Sequence, residues 1–87
     1  MAHIELGTIK ESPGAIKLVS INDLVHAVVK HHNCDWGDAG STIKDANDTA
    51  LSNGGAVLSI HHASSGRRFQ IRTNSARLLT EISLVGE

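Results

Sequence analysis

Asn53-Gly54-Gly55-Ala56-Val57-Leu58-Ser59-Ile60-His61-His62 is the stretch where the chain changes its period. Upstream, Ile43, Ala46, Ala50 and Leu51 recur at helical spacing. Ser41 to Ser52 is therefore predicted as a helix, capped by Ser41 and stopped by the left-handed signal Asn53-Gly54-Gly55. Downstream the period falls to two. Ala56 to His62 and Arg68 to Thr73 read as strands joined by a hairpin-length loop, Ala63-Ser64-Ser65-Gly66-Arg67. Leu78 to Val85 reads as a further strand, reached through Asn74-Ser75-Ala76-Arg77. Alternation turns Leu58, Ile60, Phe69, Ile71, Leu78, Ile82 and Leu84 toward the helices and leaves Ser59, His61, Arg68, Gln70, Arg72 and Glu81 outside.

Toward the N-terminus, Ile4 to Ile9 alternates well enough to predict a short strand, although Gly7 weakens it. Ser12-Pro13 starts a short helix to about Ser20, since the hydroxyl can cap free N–H groups and proline suits the first helical position. Asn22 is the expected cap of a second helix, in which Leu24, Val25, Val28, Val29 and His32 follow helical spacing. Asn33 to Gly40 has no period and is rich in turn formers, which makes it a loop. The expected fold is α+β: an N-terminal strand, three helices, then a three-stranded antiparallel meander with the helices on one sheet face. One domain spans residues 1–87.

Composition narrows the function. A chain of 87 residues has room for one core. Its only aromatic residues beyond histidine are Trp36 and Phe69, too few for a base-stacking platform. Eight basic residues nearly balance nine acidic ones, so a nucleic-acid partner is not expected. Six histidines would carry the formal charge from −1 to +5 on full protonation, which makes solubility and assembly sensitive to pH. The single cysteine, Cys34, allows no internal disulfide. Apolar runs are far shorter than the roughly 20 residues of a membrane helix. Glu5, Lys10 and Glu11 fall where a signal peptide would be apolar, so a cytoplasmic protein without membrane association is expected.

His31, Asp35, Trp36 and Asp38 form the leading candidate site. A histidine four residues before a carboxylate can make a hydrogen-bonded pair suited to general-base work. Equally, a histidine at a helix C-terminus is favoured by the macrodipole, and a tryptophan in an aperiodic loop usually anchors it. Asn47 lies on the apolar stripe of its helix and needs a buried partner, expected in the loop backbone near Asp35 to Gly37. Arg72 and Arg77, with Arg68, could grip phosphate or an acidic partner from the outer sheet face, or simply be solvated there. His31, His32, Cys34, Asp35, His61 and His62 are all metal-ligand types, but their spacing matches no zinc signature, and adjacent histidines point apart. No cofactor or metal is expected.

Leu6-Gly7, Ser12-Pro13-Gly14-Ala15, His31 with Asp35-Trp36-Gly37-Asp38, Asn47, Ala50-Leu51 and Gly54-Gly55 resemble a family of short bacterial proteins of plasmids and other mobile elements. Ser59, Gly66, Thr73, Arg77, Thr80 and Ile82 also fit. Members of that family carry the labels plasmid-related protein or type I restriction enzyme subunit. The resemblance implies a small protein carried by a mobile element. Two functional classes follow. The first is a non-enzymatic binding or regulatory module for a protein or peptide, dimeric through an exposed sheet edge. The second is a toxin-like nuclease or hydrolase using His31 and Asp35, with Arg72 or Arg77 on phosphate charge.

Overall fold

The computed structural model describes residues 3–87. The elements run β1 (Thr8–Glu11), α1 (Pro13–Leu18), α2 (Ile21–His32), α3 (Ser41–Asn53), β2 (Val57–His62), β3 (Arg68–Thr73) and β4 (Leu79–Leu84). Ser12 caps α1 by accepting the Ala15 N–H. Ser20, rather than Asn22, does the same for α2 by accepting from Asp23. Gly40, not Ser41, is the N-cap of α3, and Gly54 ends that helix with φ +82°.

The sheet corrects the expected three-stranded antiparallel meander. It is four-stranded and mixed, in the order β1-β4-β3-β2, with β1 parallel to β4 and the other two pairings antiparallel. The N-terminal strand also lies further along than Ile4 to Ile9. Ile4 donates its N–H to the His32 carbonyl, and His32 Nδ1 bonds the Ile4 carbonyl, so this segment is tied to the end of α2. Gly7 then turns at φ +65°, with the Leu78 backbone so near that a Cβ would sit 2.3 Å from it. Only past that contact can Thr8 donate to Leu78 and start the ladder.

Strand register sets the faces. Val57 pairs with Thr73, Ser59 with Ile71 and His61 with Phe69, while Ile71 pairs with Ile82 and Thr73 with Thr80. Directly paired residues share a face. The inner face therefore holds Ser59 and His61 of β2 and not Leu58 and Ile60, the reverse of the alternation read from the sequence. Leu78 is also misplaced by that reading: it is largely exposed, in a turn where Asn74 Oδ1 accepts the Leu78 and Leu79 N–H groups. Phe69, Ile71, Ile82 and Leu84 pack with Ala15, Val19, Leu24 and Ala27 of the helical layer. A second cluster joins Ile4, Trp36, Ala39, Ala50, Val57 and Ile60 at the β2 edge.

The two sheet edges differ. At β2 the loop backbone closes the edge, with Asp38 N–H donating to the Ile60 carbonyl and Ile60 N–H to the Trp36 carbonyl. Asn47 completes the cover: its amide donates to the Leu58 carbonyl at 2.7 Å and accepts the Leu58 N–H at 3.0 Å. The expected loop partner of Asn47 is thus replaced by a strand edge, which otherwise would present unpaired groups. Asn47→Ala is expected to cost roughly 1–3 kcal/mol, since it strands both backbone groups of Leu58 in a half-buried position. Urea unfolding checks this. Among the described residues the β1 edge has no such cover, and all four residues of the strand are exposed.

Candidate functional site

A chain of hydrogen bonds runs through the interior from the Leu6 carbonyl to a surface cleft. Thr80 Oγ1 donates to the Leu6 carbonyl at 2.7 Å. A hydroxyl has one proton, so Thr80 must accept from Thr73 Oγ1, 2.8 Å away. Thr73 in turn accepts from His31 Nε2–H at 2.9 Å. A neutral imidazole has one N–H, which leaves His31 Nδ1 to accept the Ser59 hydroxyl proton at 2.6 Å. Ser59 then accepts from His61 Nε2–H at 2.8 Å. Every proton along the chain is assigned by the carbonyl at its end, and no bond in it goes to a carboxylate.

Burial maintains this state. His31 is fully buried, and that desolvation lowers its pKa from 6.5 to about 4, helped by the charges of His61 and Arg77. His61 is lowered for the same leading reason. Trp36 closes the side of the network, its ring 5.6 Å from the His31 ring in an edge-on arrangement. The far end, at His61, meets a cleft of about 230 Å³ lined by His26, Lys30, Asp38 and His62 among others. There His62 Nδ1 pairs with the Asp38 carboxylate, and this bond holds the Asp38 pKa below the usual range. Asp23, on the same cleft, is occupied with the hairpin loop, accepting from both the N–H and the hydroxyl of Ser64.

The sequence candidates are therefore separated rather than gathered. His31 is internal, with both ring nitrogens taken. Asp35 makes no bond to it and instead accepts the Gly37 N–H at 3.0 Å, a turn-forming contact on the surface. Trp36 is buried, Asp38 is bound to His62, and Asn47 holds β2. Arg77 donates to the Asn74 carbonyl within its own turn. Arg72 is exposed, pairs in register with Glu81 and lines a shallow cavity with Lys10 on the outer face. Cys34 has its pKa raised by burial, which keeps the thiol protonated. Among the described residues, no group of three or more His, Cys, Asp or Glu side chains is placed to hold a metal ion.

Sequence reasoning missed Ser59 and Thr73 as the partners of His31, and Thr80 as the next link beyond Thr73. Part of the signal was available: Thr73 continues the phase of Phe69 and Ile71, and Thr80 that of Ile82 and Leu84, so both hydroxyls fall on the inner face. It also missed the apolar surface. Ile9, Ile21, Val25 and Val29 are 44 %, 67 %, 51 % and 53 % exposed, and with Val28 they wall a groove of about 210 Å³ between β1 and α2. No helix among the described residues is long and apolar enough to cross a membrane. Comparison with protein-family models, curated proteins and solved structures finds no match for this chain.

Proposed function

We propose that this domain is a non-enzymatic binding or regulatory module of the bacterial cytoplasm, carried by a mobile element, that recognises a protein or peptide. The observation that carries the reading is the apolar groove of Ile9, Ile21, Val25, Val28 and Val29, beside the β1 edge of the sheet, which is open among the described residues. Apolar side chains gathered on a surface in this way mark interaction sites. The histidine chain supports the same reading from the other side. A general base needs an open partner on its ring, and His31 has none to offer because Ser59 and Thr73 occupy both nitrogens.

The test is affinity capture from the host with the immobilised domain. The proteins retained by the parent are expected to be lost with Val25→Asp, a change at a half-exposed helix position that leaves the core intact. They are expected to persist with Arg72→Ala. Retention unaffected by Val25→Asp but abolished by His62→Ala would move the function to the polar cleft and overturn the proposal.

A further inference from the structure

The groove beside β1 has a specific kind of occupant written into its backbone and its one charge. Thr8 N–H donates to Leu78 and Ser12 N–H to Ile82, so the even positions of this strand face β4. In a strand the N–H and C=O of alternate residues point to opposite sides. Ile9 and Glu11 therefore direct their backbone groups at the open edge, while their side chains lie on the inner face with Thr80 and Ile82. Those side chains form the floor of the groove, and Ile21, Val25 and Val29 of α2 form its wall. An edge strand with free groups next to an apolar wall is the arrangement that takes up an extended peptide as an added strand.

Resting on the proposed binding role, we infer that β1 receives an extended peptide segment as a fifth, antiparallel strand, with an aliphatic residue opposite Ile9 and a basic residue opposite Glu11. Antiparallel pairing lets Ile9 and Glu11 each exchange both backbone bonds with their partners. Paired residues share a face, so the partner of Ile9 leans on the Val25 and Val29 wall. Among the described residues, Glu11 is the only charged one lining the groove, and no ion pair engages it. A lysine or arginine two positions before the aliphatic residue complements it. The pattern read from the N-terminus of the ligand is basic, any residue, aliphatic. Size favours a single segment. The exposed apolar side chains supply on the order of a few hundred Å², short of the roughly 800 Å² that each partner of a stable dimer covers.

The experiment is selection from a displayed library of random heptapeptides against the intact domain, with light scattering of the free domain alongside. Enriched peptides are expected to carry Lys or Arg two residues before Val, Ile or Leu. Their binding should fall about tenfold or more with Val25→Asp, and selection on Glu11→Lys should exchange the basic residue for an acidic one. Enrichment without that pattern, binding unchanged by Val25→Asp, or no enrichment at all would overturn the inference. A stable dimer that Val25→Asp dissociates would also overturn it, because a second copy then fills the groove, yet the binding-module reading would stand. Failure of that broader reading has a separate signature, in captured host proteins that are indifferent to Val25→Asp but lost with His62→Ala.

Discussion

Trp36→Ala is expected to lower the unfolding free energy by roughly 3–5 kcal/mol, measured by urea denaturation at pH 7.5. The indole is buried in the cluster with Ile4, Ala39, Ala50, Val57 and Ile60, and its removal leaves a cavity where α3, the loop and β2 meet. The loop has no other large side chain to replace it. Since small domains hold only about 5–15 kcal/mol in total, this is a large share. The same ring packs edge-on against His31, so the cavity also opens the histidine chain to water. Binding of the proposed peptide partner should fall only as the folded fraction falls. A melting temperature within a few degrees of the parent, together with lost binding, would instead make Trp36 a contact residue.

The helices were legible in the sequence because their signals are local. Ser12-Pro13 and Asn53-Gly54-Gly55 act on the backbone within one turn, and the apolar spacing of α2 and α3 repeats within each element. β1 was misplaced because its partner, β4, lies about seventy residues away and because Gly7 approaches Leu78, which no local pattern encodes. The phase of β2 was misread for a different reason. Val57-Leu58-Ser59-Ile60-His61 offers Leu58 and Ile60 on one face and a valine, a serine and a histidine on the other, so binary patterning favours the first. The structure chooses the second. His31 arrives on the inner face with two ring nitrogens to satisfy, and Ser59 is the residue that reaches one of them. Ile60 loses nothing, since the Trp36 loop covers it at the edge. Of the two readings the sequence offered for this cluster, the His31–Asp35 pair suggested by four-residue spacing does not form, because Asp35 lies beyond the helix end and is spent on the Gly37 turn.

Acid should destabilise the domain through His31 in a defined window. Its pKa is about 4 in the fold against an ordinary 6.5. Above pH 6.5 both states are neutral and the full stability is present. Between 6.5 and about 4 the unfolded chain binds a proton that the folded chain refuses, so stability falls as pH drops, at roughly 1.4 kcal/mol per unit. The accumulated loss is about 3 kcal/mol, and His61, lowered in the same direction, adds to it. His31→Gln should be less stable at neutral pH yet lose less on acidification. Urea midpoints from pH 7.5 to 4.5 for both proteins check the difference.

The central claim is that His31 is a neutral, fully engaged member of a structural chain. Histidine-ring ¹⁵N NMR of the folded protein, recorded from pH 8 to pH 5, tests it most directly. The account predicts that His31 keeps its proton on Nε2 and a bare Nδ1 across that range. A His31 ring that titrates near its ordinary value with the fold intact, or that carries its proton on Nδ1, would contradict it and return the imidazole to the list of reactive groups.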